Sequence, residues 1–130
     1  MATGAEATIE RLRDAWNAHD TEGVLACFTD DCVYEDVAFE IKMQGHDGLR
    51  QFADMLFRTI PDFGYEMTAH VVGDEAAAVE YILTGTPRFD LQGNEVEPYA
   101  LTKRGASFME LRGDKIHRQS DYVDSAGVKA

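Results

Sequence analysis

Two aspartates stand inside stretches that otherwise read as β-strand. Asp36 closes Cys32-Val33-Tyr34-Glu35-Asp36, and Asp121 lies within Ile116-His117-Arg118-Gln119-Ser120-Asp121-Tyr122. Acidic side chains are seldom fully buried unless they are paired or put to use. In an apolar hollow a carboxylate loses hydration, its pKa rises, and it becomes a stronger base at neutral pH. Two carboxylates in one hollow titrate as a coupled pair, giving one acid and one base. The chemistry this suits is proton transfer. The plain alternatives are that Asp36 ends its strand in water and that Asp121 lies on an exposed strand face.

Period-two alternation assigns the neighbours. Tyr34 and Asp36 share one face of their strand and Glu35 takes the other. His117, Gln119 and Asp121 share a face of the last strand, with Arg118, Ser120 and Tyr122 opposite. Tyr34 is either a hydrogen-bond donor to an oxyanion or a packed strand tyrosine. Trp16 either stacks on a ring at the pocket floor or belongs to the core. His117 and Gln119 are candidates to orient a substrate. Phe52, Met55, Leu56, Tyr81 and Leu83 are core or pocket wall, and a one-residue slip or a bulge would turn any strand candidate to the opposite face.

The elements that must position these residues divide into a helical front and a strand-rich back. Ile9, Leu12, Ala15, Trp16 and His19 recur at helical spacing, which predicts a helix over residues 6–18. Asp20 or Thr21 can cap a short second helix carrying Val24, Leu25 and Phe28. Thr29-Asp30-Asp31 reads as a turn and residues 32–39 as a strand. Asp47 can cap a third helix with the stripe Leu49, Phe52, Ala53, Leu56 and Ile60, stopped by Pro61. Strands are expected over 65–72, 76–86, 96–111 (bent at Gly105) and 116–123, with turns at Gly73-Asp74, Leu91–Asn94 and Arg112–Lys115. Helices followed by antiparallel strands argue for α+β, with a curved sheet wrapped on a long helix. The hollow of such a half-barrel is a common ligand site.

Composition narrows the function classes. The 130 residues suit one domain, expected to span 1–130 with a frayed tail over 125–130. Hydrophobic content of 45% and charged content of 28% are those of a globular chain. The formal net charge of −12 argues against nucleic acid and anionic membranes, since phosphate binding needs Lys and Arg patches. No apolar run reaches the length of a membrane span, and Met1–Glu6 lacks the basic and apolar parts of a signal peptide, so a cytoplasmic protein is expected. Cys27 and Cys32 fit no standard zinc spacing and read as buried, reduced thiols. Gly45-His46-Asp47-Gly48 lacks the frame of a phosphate loop. Neither a metal nor a cofactor is expected.

Several phrases carry a family resemblance. Trp16-Asn17-Ala18-His19-Asp20, then Gly23-Val24-Leu25-Ala26-Cys27-Phe28-Thr29-Asp30-Asp31, resembles the opening of SnoaL-like and ketosteroid-isomerase-like proteins of the nuclear transport factor 2-like superfamily. Gly45-x-x-Gly48, Pro61-Asp62, Thr84-Gly85-Thr86, Gly113-Asp114-Lys115-Ile116 and Asp121-Tyr122-x-Asp124 follow in the order and spacing of that group. The resemblance runs from about residue 8 to 124. It implies a cone-shaped half-barrel of three helices, all in the first half of the chain, on a strongly curved, mainly antiparallel sheet, and a homodimer packed through that sheet. It does not imply one activity, since the superfamily holds isomerases, polyketide cyclases, dehydratases, epoxide hydrolases and non-catalytic members.

Residue by residue, the resemblance makes Asp36 the general base of the isomerases, and Asp121 the acid/base of the cyclases or the water-activating base of the epoxide hydrolases. It also exposes departures. Leu12 and Ala106 fall where the isomerases carry their oxyanion donors. Arg88-Phe89-Asp90 imitates part of the epoxide-hydrolase triad, but Leu83 and Gly85 fall at the corresponding strand positions. The expectation is therefore a cofactor-free acid/base enzyme for a hydrophobic carbonyl compound, acting through Asp36 and Asp121 as isomerase, aldol-type cyclase or dehydratase. A non-catalytic binding protein and an epoxide hydrolase are the alternatives.

Overall fold

The structure, a computed structural model, describes residues 4–125; the rest of the expected frayed tail lies outside the described residues. Helix α1 spans Gly4–Ala18 and buries Ile9, Leu12, Ala15 and Trp16 on one face. It ends where His19 takes a left-handed conformation, φ 54°, and Asp20 N–H returns to Ala15 O at 3.0 Å. Asp20 then accepts from Gly23 N–H at 3.0 Å and so caps α2, Thr21–Leu25. Helix α3, Gly45–Thr59, presents Leu49 and Ala53 inward. Its N-cap is Gln44 without a side-chain cap bond, so Asp47 lies in the first turn rather than at the cap.

Strands β1 (Phe28–Asp36), β2 (Ile41–Gln44), β3 (Gly64–Val72), β4 (Ala76–Gly85), β5 (Leu101–Arg112) and β6 (Lys115–Val123) form one sheet in the order β2-β1-β6-β5-β4-β3. Every neighbour pair is antiparallel except β1 with β6. The end strands β2 and β3 do not meet, so the curled sheet stays unclosed. Helix α1 lies against β3, and α3 lies against β1 and β2. The core fills the space between helices and sheet, from Trp16, Val24 and Leu49 to Val79, Met109 and Ile116. The expected α+β half-barrel is the observed architecture.

Three local expectations are corrected. Thr29-Asp30-Asp31 lies within β1 rather than forming a turn, although its ladder with β6 shifts register between Phe28 and Val33. Residues 37–40 turn the chain into β2, a strand too short to stand out by alternation. Residues 96–100 precede the fifth strand, where Phe89 bridges Glu95 across a loop. Cys27 and Cys32 are buried and unbridged. No described helix is long and apolar enough to cross a membrane.

Candidate functional site

The parallel pairing of β1 with β6 sets the site. Its register places Asp36 beside Asp121 and Tyr34 beside Gln119. Register partners in adjacent strands face the same side of a sheet about 4.8 Å apart. All four side chains are buried, each aspartate residue retaining only 7% of its accessible surface. On the other flank of β6, Ser107 of β5 is the register partner of Asp121. The curled sheet thus brings three strands' polar residues to one point on its helix-covered face.

Asp121 is the centre of this group. Tyr34 Oη donates to its Oδ2, Ser107 Oγ donates to Oδ1 at 2.5 Å, and Gln119 Nε2 donates to Oδ1 at 2.8 Å. Ser107 Oγ lies 3.2 Å from Tyr81 Oη, which extends the network to β4, and Tyr81 in turn stacks on Tyr65 with ring centres 4.9 Å apart. Burial pushes the Asp121 carboxyl up to about 6; the three donors pull it down, and the nearby Asp36 charge raises it. Asp36 is also raised, again by burial, while backbone N–H groups of Phe39 and Ala38 oppose the shift. Its Oδ1 accepts from Phe39 N–H at 3.2 Å, which ties the carboxylate to the 37–40 turn. Burial also holds Tyr34, Tyr65 and Tyr81 far above the usual phenol range, so all three remain protonated donors at neutral pH.

Four of the residues singled out in the sequence lie in or against this group. Tyr34, Gln119 and Tyr81 belong to the network, and Phe52 faces Tyr34 with ring centres 5.3 Å apart. Met55, half-buried on α3, lies near Thr59 Oγ1. Trp16 packs edge-on against Phe57 and Phe63 in the core.

His117 is placed elsewhere. The β5–β6 ladder jumps from Glu110–Arg118 to Leu111–Ile116, leaving His117 as an extra, unpaired residue. The bulge lets Ile116 and Gln119 both face inward, three positions apart, and sends the His117 ring to Arg112 Nη2, 3.3 Å away, and toward Asp31. The expected shared face of His117, Gln119 and Asp121 therefore holds only for Gln119 and Asp121.

Ser107 is the residue that sequence reading passes over. The register places Ala106 opposite exposed Tyr122 and Ser107 opposite Asp121, so the inward position that resemblance gives to Ala106 belongs to its neighbour, which is a donor. Ser107 faces inward in step with buried Met109 two residues on, a phase that adjacent apolar Phe108 masks in the sequence. Arg88 and Asp90 lie on the loop after β4, where Asp90 accepts from Gln92 and Asn94 N–H at 2.9 Å, and do not join the aspartate pair. Among the described residues, no three His, Cys, Asp or Glu side chains converge as a metal set would.

The arrangement is a buried, donor-rich carboxylate of raised pKa with a second carboxylate alongside, suited to taking and returning a proton. Residues 9–119 match the family model described as a SnoaL-like domain. A putative polyketide cyclase from Silicibacter sp. TM1040 is similar in structure, with 28% identity and TM-score 0.79 over 98% of this chain and 96% of that one. A putative SnoaL-like polyketide cyclase from Jannaschia sp. CCS1 gives TM-score 0.84 at 16% identity, covering 96% and 88%. A hypothetical protein with a ketosteroid isomerase-like fold from Catenulispora acidiphila DSM 44928, solved with trimethylamine, gives 0.78 at 17%, covering 88% and 83%. None of the curated protein sequences matches. The family model spans most of the chain and the fold recurs in these structures: the chain belongs to the SnoaL-like family and has a ketosteroid isomerase-like fold.

Proposed function

We propose that the chain is a cofactor-free acid/base catalyst that moves a proton next to the carbonyl of a hydrophobic small molecule, in an isomerisation, aldol-type cyclisation or dehydration. The observation that carries this reading is the buried Asp121 carboxylate, held by Tyr34, Ser107 and Gln119 beside Asp36. An ionised carboxylate offers about four acceptor positions. Two donors occupy Oδ1 and one occupies Oδ2, so Oδ2 is the oxygen with room for a substrate proton. Asp121 takes the proton from the carbon next to the carbonyl, and the negative charge passes to the carbonyl oxygen. Once Asp121 is protonated, the Tyr34 hydroxyl no longer serves an anion and can turn to that oxygen. Asp121 or Asp36 then returns a proton to carbon or to a leaving oxygen. Two structural relatives are described as putative polyketide cyclases, which supports the same class.

The test is hydrogen–deuterium exchange at carbon next to a carbonyl, followed by NMR in heavy water across a panel of cyclic ketones. Asp121→Asn should lower the catalysed exchange by about 100-fold or more. Undiminished exchange in both Asp121→Asn and Asp36→Asn would sink the mechanism. A binding protein is the second reading, because three internal donors already satisfy Asp121 without a ligand. Ligand affinity that survives loss of both acids, with no exchange on any ketone, would favour it.

A further inference from the structure

The Asp121 network leaves one atom unserved. Gln119 retains only 3% of its accessible surface, and its Nε2 is used twice, toward Asp121 Oδ1 at 2.8 Å and toward Ser107 Oγ at 3.4 Å. Its Oε1 is buried and has no hydrogen-bond partner among the described residues. The amide cannot relieve this by flipping, because that would set Oε1 against the carboxylate oxygen and lose the donor that Asp121 needs. Buried acceptors in folded proteins are almost always paired, so an orphan within a functional group of residues points to something that arrives. The groups around it are already engaged: Tyr34 and Ser107 donate to Asp121. A ligand that brings a donor would serve it.

We infer that Gln119 Oε1 accepts a hydrogen bond from the ligand, so the carbonyl compound taken here carries a hydroxyl or N–H group near its reacting carbon. The position follows from connectivity. Oε1 is the other end of the same amide that holds Asp121, so donor and reacting carbon lie within a few bonds of each other. A β-hydroxy ketone satisfies both demands at once, with its acidic carbon at Asp121 Oδ2 and its hydroxyl at Gln119 Oε1. A purely apolar ketone leaves Oε1 desolvated and unpaired, and a site built around a polar partner discriminates against the analogue that lacks it. Gln119 thus selects the substrate through Oε1 and positions the base through Nε2. This inference rests on the proton-transfer reading of the site and adds the substrate's second functional group.

The experiment compares 1-indanone with 3-hydroxy-1-indanone, which differ only in the β-hydroxyl. Dissociation constants come from NMR titration, and exchange at the carbon next to the carbonyl is followed in heavy water. The wild-type protein should bind the hydroxy ketone about tenfold more tightly. Gln119→Met should bring the two affinities together, while Gln119→Glu, which keeps an acceptor oxygen, should retain part of the preference. Circular dichroism checks that each variant is folded, and the wild-type preference stands as a test even if neither is. Equal affinity for the two ketones, or no binding of either, overturns the inference. Asp121-dependent exchange persisting on 1-indanone without any hydroxyl preference overturns it while leaving the proton-transfer reading intact; loss of Asp121 dependence overturns that reading too. A structure of the complex gives the final check: a water on Oε1, with the ligand hydroxyl elsewhere, also overturns it.

Discussion

At the scale of single residues, Asp121 is governed by a contest between burial and three donors. Burial raises its pKa to about 6, while Gln119, Ser107 and Tyr34 each favour the anion. A base must be ionised, so kcat/KM for a ketone substrate should rise as the pH climbs through about 6 and then level off. Tyr34→Phe removes the donor on Oδ2 and leaves the apolar surroundings in place. The rising limb should then move to higher pH, and a pH–rate profile with its limb unmoved would show that Tyr34 does not act on Asp121. The inward facing of Tyr34 and Asp36 is legible in the sequence because period-two alternation in β1 is regular from Cys32 to Asp36. His117 was misplaced because a bulge carries no composition signal: the stretch Ile116–Asp121 alternates equally well with or without it. Ser107 was hidden because Phe108 and Met109 are both apolar, and only the register reveals that Met109 is buried and Phe108 exposed.

At the scale of elements, the helices and the long strands could be read because each has a clear start, stop or stripe. Asp20 caps α2, Pro61 follows α3, and Ile9–Trp16 and Leu49–Ala53 supply buried faces. Strand β2 escaped notice because its four residues are fixed by pairing with β1 rather than by their own pattern. The bend expected at Gly105 has a packing reason instead. A Cβ at that position would lie 2.6 Å from Tyr81 Cε1, so glycine makes room for the ring that carries the Tyr81 hydroxyl toward Ser107. Gly105→Ala should cost about 1–3 kcal/mol in urea unfolding, as overpacking of a filled interior does. It should also lower turnover by displacing Tyr81. A variant of unchanged stability would mean that the ring moves aside freely. Asp20→Ala tests a different junction: losing the cap should cost about 1 kcal/mol with turnover unchanged, because α2 lies outside the Asp121 network.

At the scale of the whole molecule, the site is held at the expense of stability, and pH exposes this. The two buried aspartates have folded pKa values above their ordinary 3.8, so the folded protein binds more protons than the unfolded chain as the pH rises from that value. Their contribution is fully present below 3.8 and is lost as the pH climbs through the folded values, about 6 for Asp121. Ionised Asp121 costs about 3 kcal/mol at neutral pH. Asp31, Asp62, Asp90 and Glu110 act in the opposite sense. Hydrogen bonds hold them below their ordinary values, so their contributions are lost only as the pH falls further. Stability should therefore peak in the mildly acidic range and decline toward pH 8, and the net charge of −12 adds self-repulsion in the same direction. Asp121→Asn removes the ionising group while keeping its shape, and the Tyr34 hydroxyl can reverse to accept from the new amide. This variant should melt at a higher temperature than the wild type at pH 8 and show little or no advantage at pH 4, while losing exchange activity. Thermal melts across that range distinguish this trade of stability for reactivity from a merely structural Asp121, whose loss would lower the melting temperature at every pH.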